Sequence, residues 1–306
     1  MNKSKKQCKK REFSQVHFIL IVLLTLCLAL FGCSNSVNEP TKHTITQYGC
    51  WYGSQMMFYT ITNDAGGLIV VDGGSADNTD EVRKVIYTHG NHVDAWFITH
   101  PHYDHVGAFN EIWQDLQEIT IDAVFAVEMP SSEEITESAH WDVDHYAYEV
   151  FRSLDIPVKN YVQVGEIYHI NGLEIRILNA FDEHVREVGI DFLNNGSMMF
   201  MVSGNSQNML FCGDVTFRMQ EWLINKYGEE LKADFIQMGH HGNGNSTLRP
   251  EFLDIVGAEY AFFDSPYWLF NDDTGRFDNE WVKEYMQVTG TTVFNFETAP
   301  NSVLLR

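Results

Sequence analysis

His100, His102, Asp104 and His105 all fall inside one short stretch, "THPHYDHVG". On an extended backbone, imidazoles at i and i+2 point to the same side, and a carboxylate and a third imidazole two and three residues further on turn to a neighbouring position. One short loop can therefore offer ligands to two adjacent cations. Neutral imidazole nitrogens mixed with carboxylate oxygens suit Zn2+, Mn2+ or Fe. A lone histidine needs no such account, being common on surfaces and in cores, but this density of ligand types in one turn does.

The elements around the loop must hold it. "VDAWFITH" reads as a buried strand over residues 93–99, and "AFNEIWQDLQ" as a helix with Phe109, Ile112, Trp113 and Leu116 at helical spacing. The chemistry thus sits at the C-terminal end of a strand, before a helix, where α/β proteins place sites on a rigid scaffold. Pro101 stiffens the loop, and Gly107 is expected to let the chain turn into the helix. Upstream, "LIVVDGG" is a strand leading to a helix from near Thr79, whose first turn carries Asp80 and Glu81 where the helix dipole favours them.

Downstream, hairpins are expected across Asn171-Gly172 and across residues 204–206, and a helix over 216–228 closing at Gly228. "ADFIQM", "AEYAFF" and "TTVFNF" read as strands, with a helix, "NEWVKEYMQVTG", between the last two. Two halves of strands and helices predict an α/β fold, a four-layer αββα sandwich of two mixed sheets with outer helices, over residues 43–306. Residues 127–160 read as an acidic, aromatic-rich helical insertion. Its Trp141, Tyr146, Tyr148 and Phe151 either pack it onto the core or cradle a cationic group through cation–π contacts.

The start of the chain reads differently. Basic residues from Lys3 to Arg11 precede an uncharged apolar run over 16–31, shorter than the roughly 20 residues a spanning helix needs. "LFGC" resembles a bacterial lipobox. The expectation is a signal peptide over 1–32, a lipid on Cys33, a polar tether over 33–42, and a lipoprotein held by its anchor at the extracellular face of the membrane. An ordinary N-terminal anchor is the alternative. Of five cysteines, Cys50 and Cys212 remain beyond Cys33, free to pair or to stay thiols. The formal charge of −22, made more negative by loss of the basic leader, disfavours nucleic acid as a partner.

H-x-H-x-D-H after an apolar strand resembles the signature of the metallo-β-lactamase fold superfamily. "LIVVDGG" is similar to that family's early strand, which implies that Asp72 supports the metal loop from behind. "LFCGDV" resembles its motif with a metal-bridging aspartate, here Asp214, and "MGHHG" its last histidine motif, here His240 and His241. "HPHYDHVG", "GD" and "GHHGNGNS" are most similar to the ComEC-like subgroup, with the phosphorylcholine esterase domain a secreted cousin. The family's further histidine has His184 as its best match, and "SPYWLFNDDTG" replaces the usual Asn/His-containing stretch.

The resemblance implies His100 and His102 on one ion, Asp104 and His105 on the other, and Asp214 on both, most simply with zinc. Ions ~3.5–4 Å apart would share a hydroxide whose pKa is lowered towards ~7. Either His240 or His241 is then the remaining ligand and its neighbour the acid facing substrate, with Asp104 also at the reacting centre. The function expected is hydrolysis of a small-molecule or cell-envelope phosphodiester. The alternatives are a metal-dependent lactamase or lactonase, and a non-catalytic binding lipoprotein on the same fold.

Overall fold

The computed structural model describes residues 41–143 and 145–306, and Thr41–Arg306 form one compact unit. The expected leader, lipobox and Cys33 lie outside the described residues. Within these, no helix is long and apolar enough to cross a membrane.

In chain order the strands are β1 (His43–Gln47), β2 (Phe58–Asn63), β3 (Leu68–Asp72), β4 (His92–Val93), β5 (Ala95–Ile98), β6 (Thr120–Ile121), β7 (Val124–Ala126) and β8 (Lys159–Tyr161). The second half supplies β9 (Ile167–Ile170), β10 (Leu173–Asn179), β11 (Met199–Ser203), β12 (Asn208–Phe211), β13 (Phe235–Gln237), β14 (Tyr260–Phe262), β15 (Thr292–Phe294) and β16 (Asn301–Leu305). They build two seven-stranded mixed sheets, ordered β16-β1-β2-β3-β5-β7-β8 and β15-β14-β13-β12-β11-β10-β9. β4 and β6 form a small separate pair.

The sheets repeat one plan. In the first, β16, β1, β2 and β3 pair antiparallel, and β3, β5, β7 and β8 pair parallel. In the second, β9 to β12 pair antiparallel, and β12 to β15 parallel. The change of direction falls at β3/β5 and at β12/β13. Strand ends beside such a change leave a crevice, which is where open α/β sheets place their ligands.

Side-chain alternation makes the layers. In β3, Ile69 and Val71 face the interior between the sheets with Phe97, Phe200 and Phe211, while Leu68 and Val70 face outward with Trp96 and Ile98. Both faces are buried, so these strands read as continuous apolar runs. Helices Thr79–Thr88, Tyr103–Gln114 and Tyr146–Ser153 cover the first sheet through Val82, Phe109 and Phe151. Helices Gln220–Tyr227, Pro250–Val256 and Glu280–Thr289 cover the second through Leu223, Phe252 and Val282. The αββα sandwich expected from the sequence is the architecture formed.

The hairpin at Asn171-Gly172 forms with both residues at positive φ, 55° and 86°, as its type I′ turn requires. The insertion carries helices Ser132–Ser138 and Tyr146–Ser153. Two expectations change. The helix after the histidine loop starts at Tyr103 rather than near Ala108, because His102 is extended (ψ 153°) and the helix follows it at once, which puts Asp104 and His105 in the first turn. Gly107 is therefore inside the helix, where it serves close packing: a Cβ there would lie 2.6 Å from the backbone nitrogen of Ala76. Strands β1, β2 and β16 had no distinct sequence signal.

Cys50 and Cys212 are both free thiols. Cys50 packs beside the outer layer of the first sheet and Cys212 in that of the second.

Candidate metal centre

Asp72 ends β3 with left-handed backbone, φ 51°. This aims its fully buried carboxylate at the next strand's end, where Oδ1 accepts from Thr99 N at 2.7 Å and Oδ2 from Thr99 Oγ1 at 2.6 Å and from His105 Nδ1 at 2.8 Å. Trp96 Nε1 donates to the Asp72 carbonyl at 3.0 Å. One carboxylate thus fixes both ends of the histidine loop, and by taking the Nδ1 proton it leaves the His105 Nε2 lone pair facing inward.

The histidine loop from β5 then meets residues following β12 and β13. His100 Nε2 lies 2.8 Å from His102 Nδ1 and 3.8 Å from Asp214 Oδ2. His241 Nε2 lies 3.2 Å from Asp104 Oδ2 and 3.3 Å from His105 Nε2. Two trios result, His100/His102/Asp214 and Asp104/His105/His241, with the ligand atoms of each within 4.8 Å of one another. Asp214 lies between them, Oδ1 at 3.4 Å from His105 Nε2 and Oδ2 at 3.4 Å from His241 Nε2. The two trios are therefore neighbours that share one carboxylate.

The donor set fits divalent ions. His102 Nε2 is held by Asp142 Oδ2 at 2.9 Å, His105 Nδ1 by Asp72, and His241 Nδ1 by the Asp264 carbonyl at 3.0 Å. With the outer nitrogens carrying the protons, the inner ones present lone pairs to each other and to two carboxylates, an arrangement that requires a cation among them. Asp214 Oδ1, buried, makes no well-formed hydrogen bond.

Without metal, protons take the cation's place. Burial alone would depress the His105 imidazolium, but Asp214 and Asp104 outweigh it and raise the group to about 10. His241 is raised well above its ordinary value against the same burial, chiefly by Asp214 and Asp104. Burial opposes ionisation of Asp214, yet His241, His105 and His100 hold it well below the usual carboxylate range. His100 is pushed far down by burial and then by the His105 charge.

The two adjacent histidines are separated by strained backbone. His240 and His241 have φ of 48° and 56°, in the left-handed region that non-glycine residues seldom occupy and that clusters at functional sites. The turn sends His241 into the buried trio. His240 remains at the opening, its side chain 23% exposed and its Nε2 3.9 Å from Asp214 Oδ2.

His184 is not brought to the centre. It stacks on Trp222 with ring centroids 3.7 Å apart, pairs with Asp182 and meets Asn179 Oδ1 at 2.9 Å, so it fastens helix Glu183–Val188 to helix Gln220–Tyr227. Sequence reasoning missed Asp142 and Asp264, which hold ligands in place but belong to no motif, and gave no role to Thr99 at the head of the loop. Asp142 lies in the insertion, 40 positions from His102, and carries no local signal.

Residues 52–260 match the Metallo-beta-lactamase superfamily, and the chain belongs to that family of metal-dependent hydrolases and related metal-dependent enzymes. Hydroxyacylglutathione hydrolase of Salmonella typhi is 40% identical over 63 residues, 21% of this chain and 24% of that protein. Competence protein ComA of Neisseria gonorrhoeae is 34% identical over 74 residues, 24% of this chain and 11% of that protein. The chain thus spans a quarter or less of these relatives. In three dimensions it resembles the metallo-beta-lactamase fold protein YhfI of Bacillus subtilis, with TM-score 0.53 and 15% identity over 86% of this chain and 99% of that one. It likewise resembles the diiron beta-hydroxylase CmlA of Streptomyces venezuelae, with TM-score 0.53 and 14% identity over 88% of this chain and 55% of that one. At such identities these likenesses speak to the fold.

Proposed function

We propose that this protein is a divalent-metal hydrolase of phosphodiesters, of the ComEC-like kind, held at the outer face of a bacterial membrane by a lipid on Cys33. The observation that carries the hydrolase reading is the pair of buried trios meeting at Asp214. Two divalent ions, zinc in the simplest case, supply Lewis acidity and lower the pKa of water towards ~7.

The chain's own residues do the rest. Asp72, Asp142 and the Asp264 carbonyl orient the imidazoles, so that little reorganisation remains when substrate arrives. His240, whose side chain is 23% exposed with Nε2 3.9 Å from Asp214 Oδ2, is the imidazole we assign to hand a proton to the leaving group. Tyr103 stands between His102 and Asp104. Trp268 donates from Nε1 to the Gly53 carbonyl at 2.7 Å, joining the Trp51–Gly53 turn to the segment after β14. Tyr103 and Trp268 are exposed aromatics that offer stacking surface, Tyr103 between two ligand residues in the chain.

Support for phosphodiesters comes from the ComEC-like motifs and the ComA-similar stretch. Support for anchoring comes from the basic leader, apolar run and lipobox-like "LFGC". The excess of acidic residues favours a small or cell-envelope substrate over nucleic acid. A second reading, hydrolysis of a thioester or lactone, is favoured by the stretch similar to hydroxyacylglutathione hydrolase.

The deciding experiment assays the zinc-loaded protein on bis-p-nitrophenyl phosphate, p-nitrophenyl phosphorylcholine, single-stranded DNA, nitrocefin and a hydroxyacylglutathione thioester. His102→Ala and Asp214→Ala are run alongside. Phosphodiester turnover lost in both variants is the expected result. Turnover of the thioester alone selects the second reading, and activity surviving both substitutions removes the centre from the chemistry.

A further inference from the structure

Asp72, at one end of β3, supports the metal centre; beside the other end, at Leu68, the small pair β4 and β6 carries a further set of ligand-type side chains. The two strands run parallel, with His92 opposite Thr120 and Val93 opposite Ile121. Val93 and Ile121 pack into the outer layer of the first sheet. Side chains alternate along a strand, so His92, Asp94, Thr120 and Asp122 share the other face. None of them belongs to the trios that meet at Asp214.

The separations on this face are those of a coordination shell. His92 Nε2 lies 3.5 Å from Asp94 Oδ1 and 3.2 Å from Asp122 Oδ2, and ligand atoms of the three residues fall within 4.8 Å of one another. A charge-assisted hydrogen bond would draw such atoms to about 2.7–2.9 Å. Donors about 2.0–2.2 Å from a tetrahedral ion stand about 3.3–3.6 Å apart, which is closer to what is found.

The ligands are also held from behind. Thr120 directs its hydroxyl proton to the Asn91 carbonyl at 3.5 Å, so its oxygen accepts from His92 Nδ1 at 2.9 Å. The Nε2 lone pair is thereby left facing two carboxylates, an arrangement that calls for a cation. Asp94 Oδ2 accepts from Leu68 N at 2.7 Å and from Asn171 Nδ2 at 2.9 Å, which leaves Oδ1 for His92. Asp122 N donates to the Val93 carbonyl at 2.9 Å and ties the third ligand to β4.

We propose that His92, Asp94 and Asp122 form a separate, exchangeable site for a zinc-class divalent ion, with water completing its shell. Two carboxylates neutralise the dication, and the imidazole nitrogen selects zinc over magnesium or calcium, which take oxygen ligands. The His92 and Asp122 side chains are 47% and 62% exposed, so this ion exchanges with solvent and leaves on desalting, unlike ions in the buried trios. Asp94 already joins the start of β3 to Asn171 of the β9–β10 turn, so an ion there fastens that end of both sheets. The inference does not rest on the proposed hydrolysis.

The test loads the full-length protein with zinc, desalts it and titrates further zinc at about pH 7.5, where histidine is mostly neutral. NMR follows the ring nitrogens, with His92 assigned from His92→Ala, and equilibrium dialysis counts the ions. Expected are a saturating shift of His92 Nε2 that excess magnesium or calcium does not reproduce, and uptake of about one ion fewer in His92→Ala and in Asp122→Asn. The metal-free unfolding midpoint of Asp122→Asn should match that of the parent, and Glu174→Gln, which removes an exposed carboxylate on β10, should bind as the parent does. The proposal is overturned by a His92 ring unmoved below about 1 mM zinc, by an equal shift with magnesium, by full uptake in Asp122→Asn, or by an equal loss in Glu174→Gln.

Discussion

His102 Nε2 lies 2.9 Å from Asp142 Oδ2, so the segment between the two halves of the sandwich reaches back and holds one imidazole of the metal loop. Burial alone would lower the His102 imidazolium, but Asp142 outweighs it and raises the group. With the Nε2 proton committed to Asp142, Nδ1 turns to His100 and Asp214. Asp142→Ala frees the ring, and an outer partner of this kind is worth about 10–100-fold in metal affinity. Competition with a chromophoric chelator should show that loss for one of two ions, with secondary structure unchanged. Equal affinity in the variant would mean the contact does not orient the ligand.

The three histidines that the sequence left undecided should separate cleanly. His241→Ala should lower bound metal to about one ion per chain by elemental analysis, because it removes a donor from a closed trio. His240→Ala should keep the metal and lower kcat by about 10²–10⁴-fold, the usual worth of a positioned proton donor. His184→Ala should keep both metal and turnover while costing about 1–2 kcal/mol of stability, through the lost stack on Trp222. Metal loss in His184→Ala would reopen its exclusion from the centre.

The His105 shift sets a pH dependence. Its folded value, about 10, lies above the ordinary histidine value, so in the metal-free protein the charged ring contributes stability below about pH 6.5 that is lost as pH rises through about 10. His241 is raised likewise and acts in the same direction. Thermal unfolding of chelator-treated protein between pH 6.5 and 10 should show the decline, and His105→Gln should flatten it. Metal needs the neutral rings, so binding near neutral pH should release about one to two protons and tighten as pH rises. Calorimetry in buffers of different ionisation enthalpy measures that release directly.

Gly107 sets how closely the turn after β3 approaches the ligand-bearing helix. Gly107→Ala places a methyl 2.6 Å from Ala76 N, against backbone that cannot rotate away. The expected loss is about 1–3 kcal/mol of stability, by chemical denaturation, although alanine favours helices. A neutral or stabilising outcome would show that the contact relaxes freely.

Local pattern carried most of this protein. The apolar runs of β3 and β5 are buried on both faces, so hydrophobicity and punctuation alone marked them as strands, and strand–loop–helix succession gave the layers. The ligand types in "HPHYDH" lie close enough in sequence for their spacing to suggest two groups. β1 and β16 escaped because they pair with each other from opposite ends of the described chain, whereas β2 lies close in sequence to both its neighbours and simply lacked a distinct pattern. Thr44 faces Leu304 across the β1–β16 ladder, and pairing at that range leaves little local trace.

The sequence by itself marked out the candidate ligands of the first loop, Asp214 and the His240/His241 pair in their chain order, and the sandwich that presents them, because side-chain chemistry and strand periodicity are local properties. Only the tertiary structure decided which of two adjacent histidines turns inward, that His184 stacks elsewhere, and that Asp142 and Asp264 govern the rings. Those outcomes depend on two left-handed backbone residues and on contacts between segments far apart in the chain, whose geometry exists only once both sheets have closed around the interior.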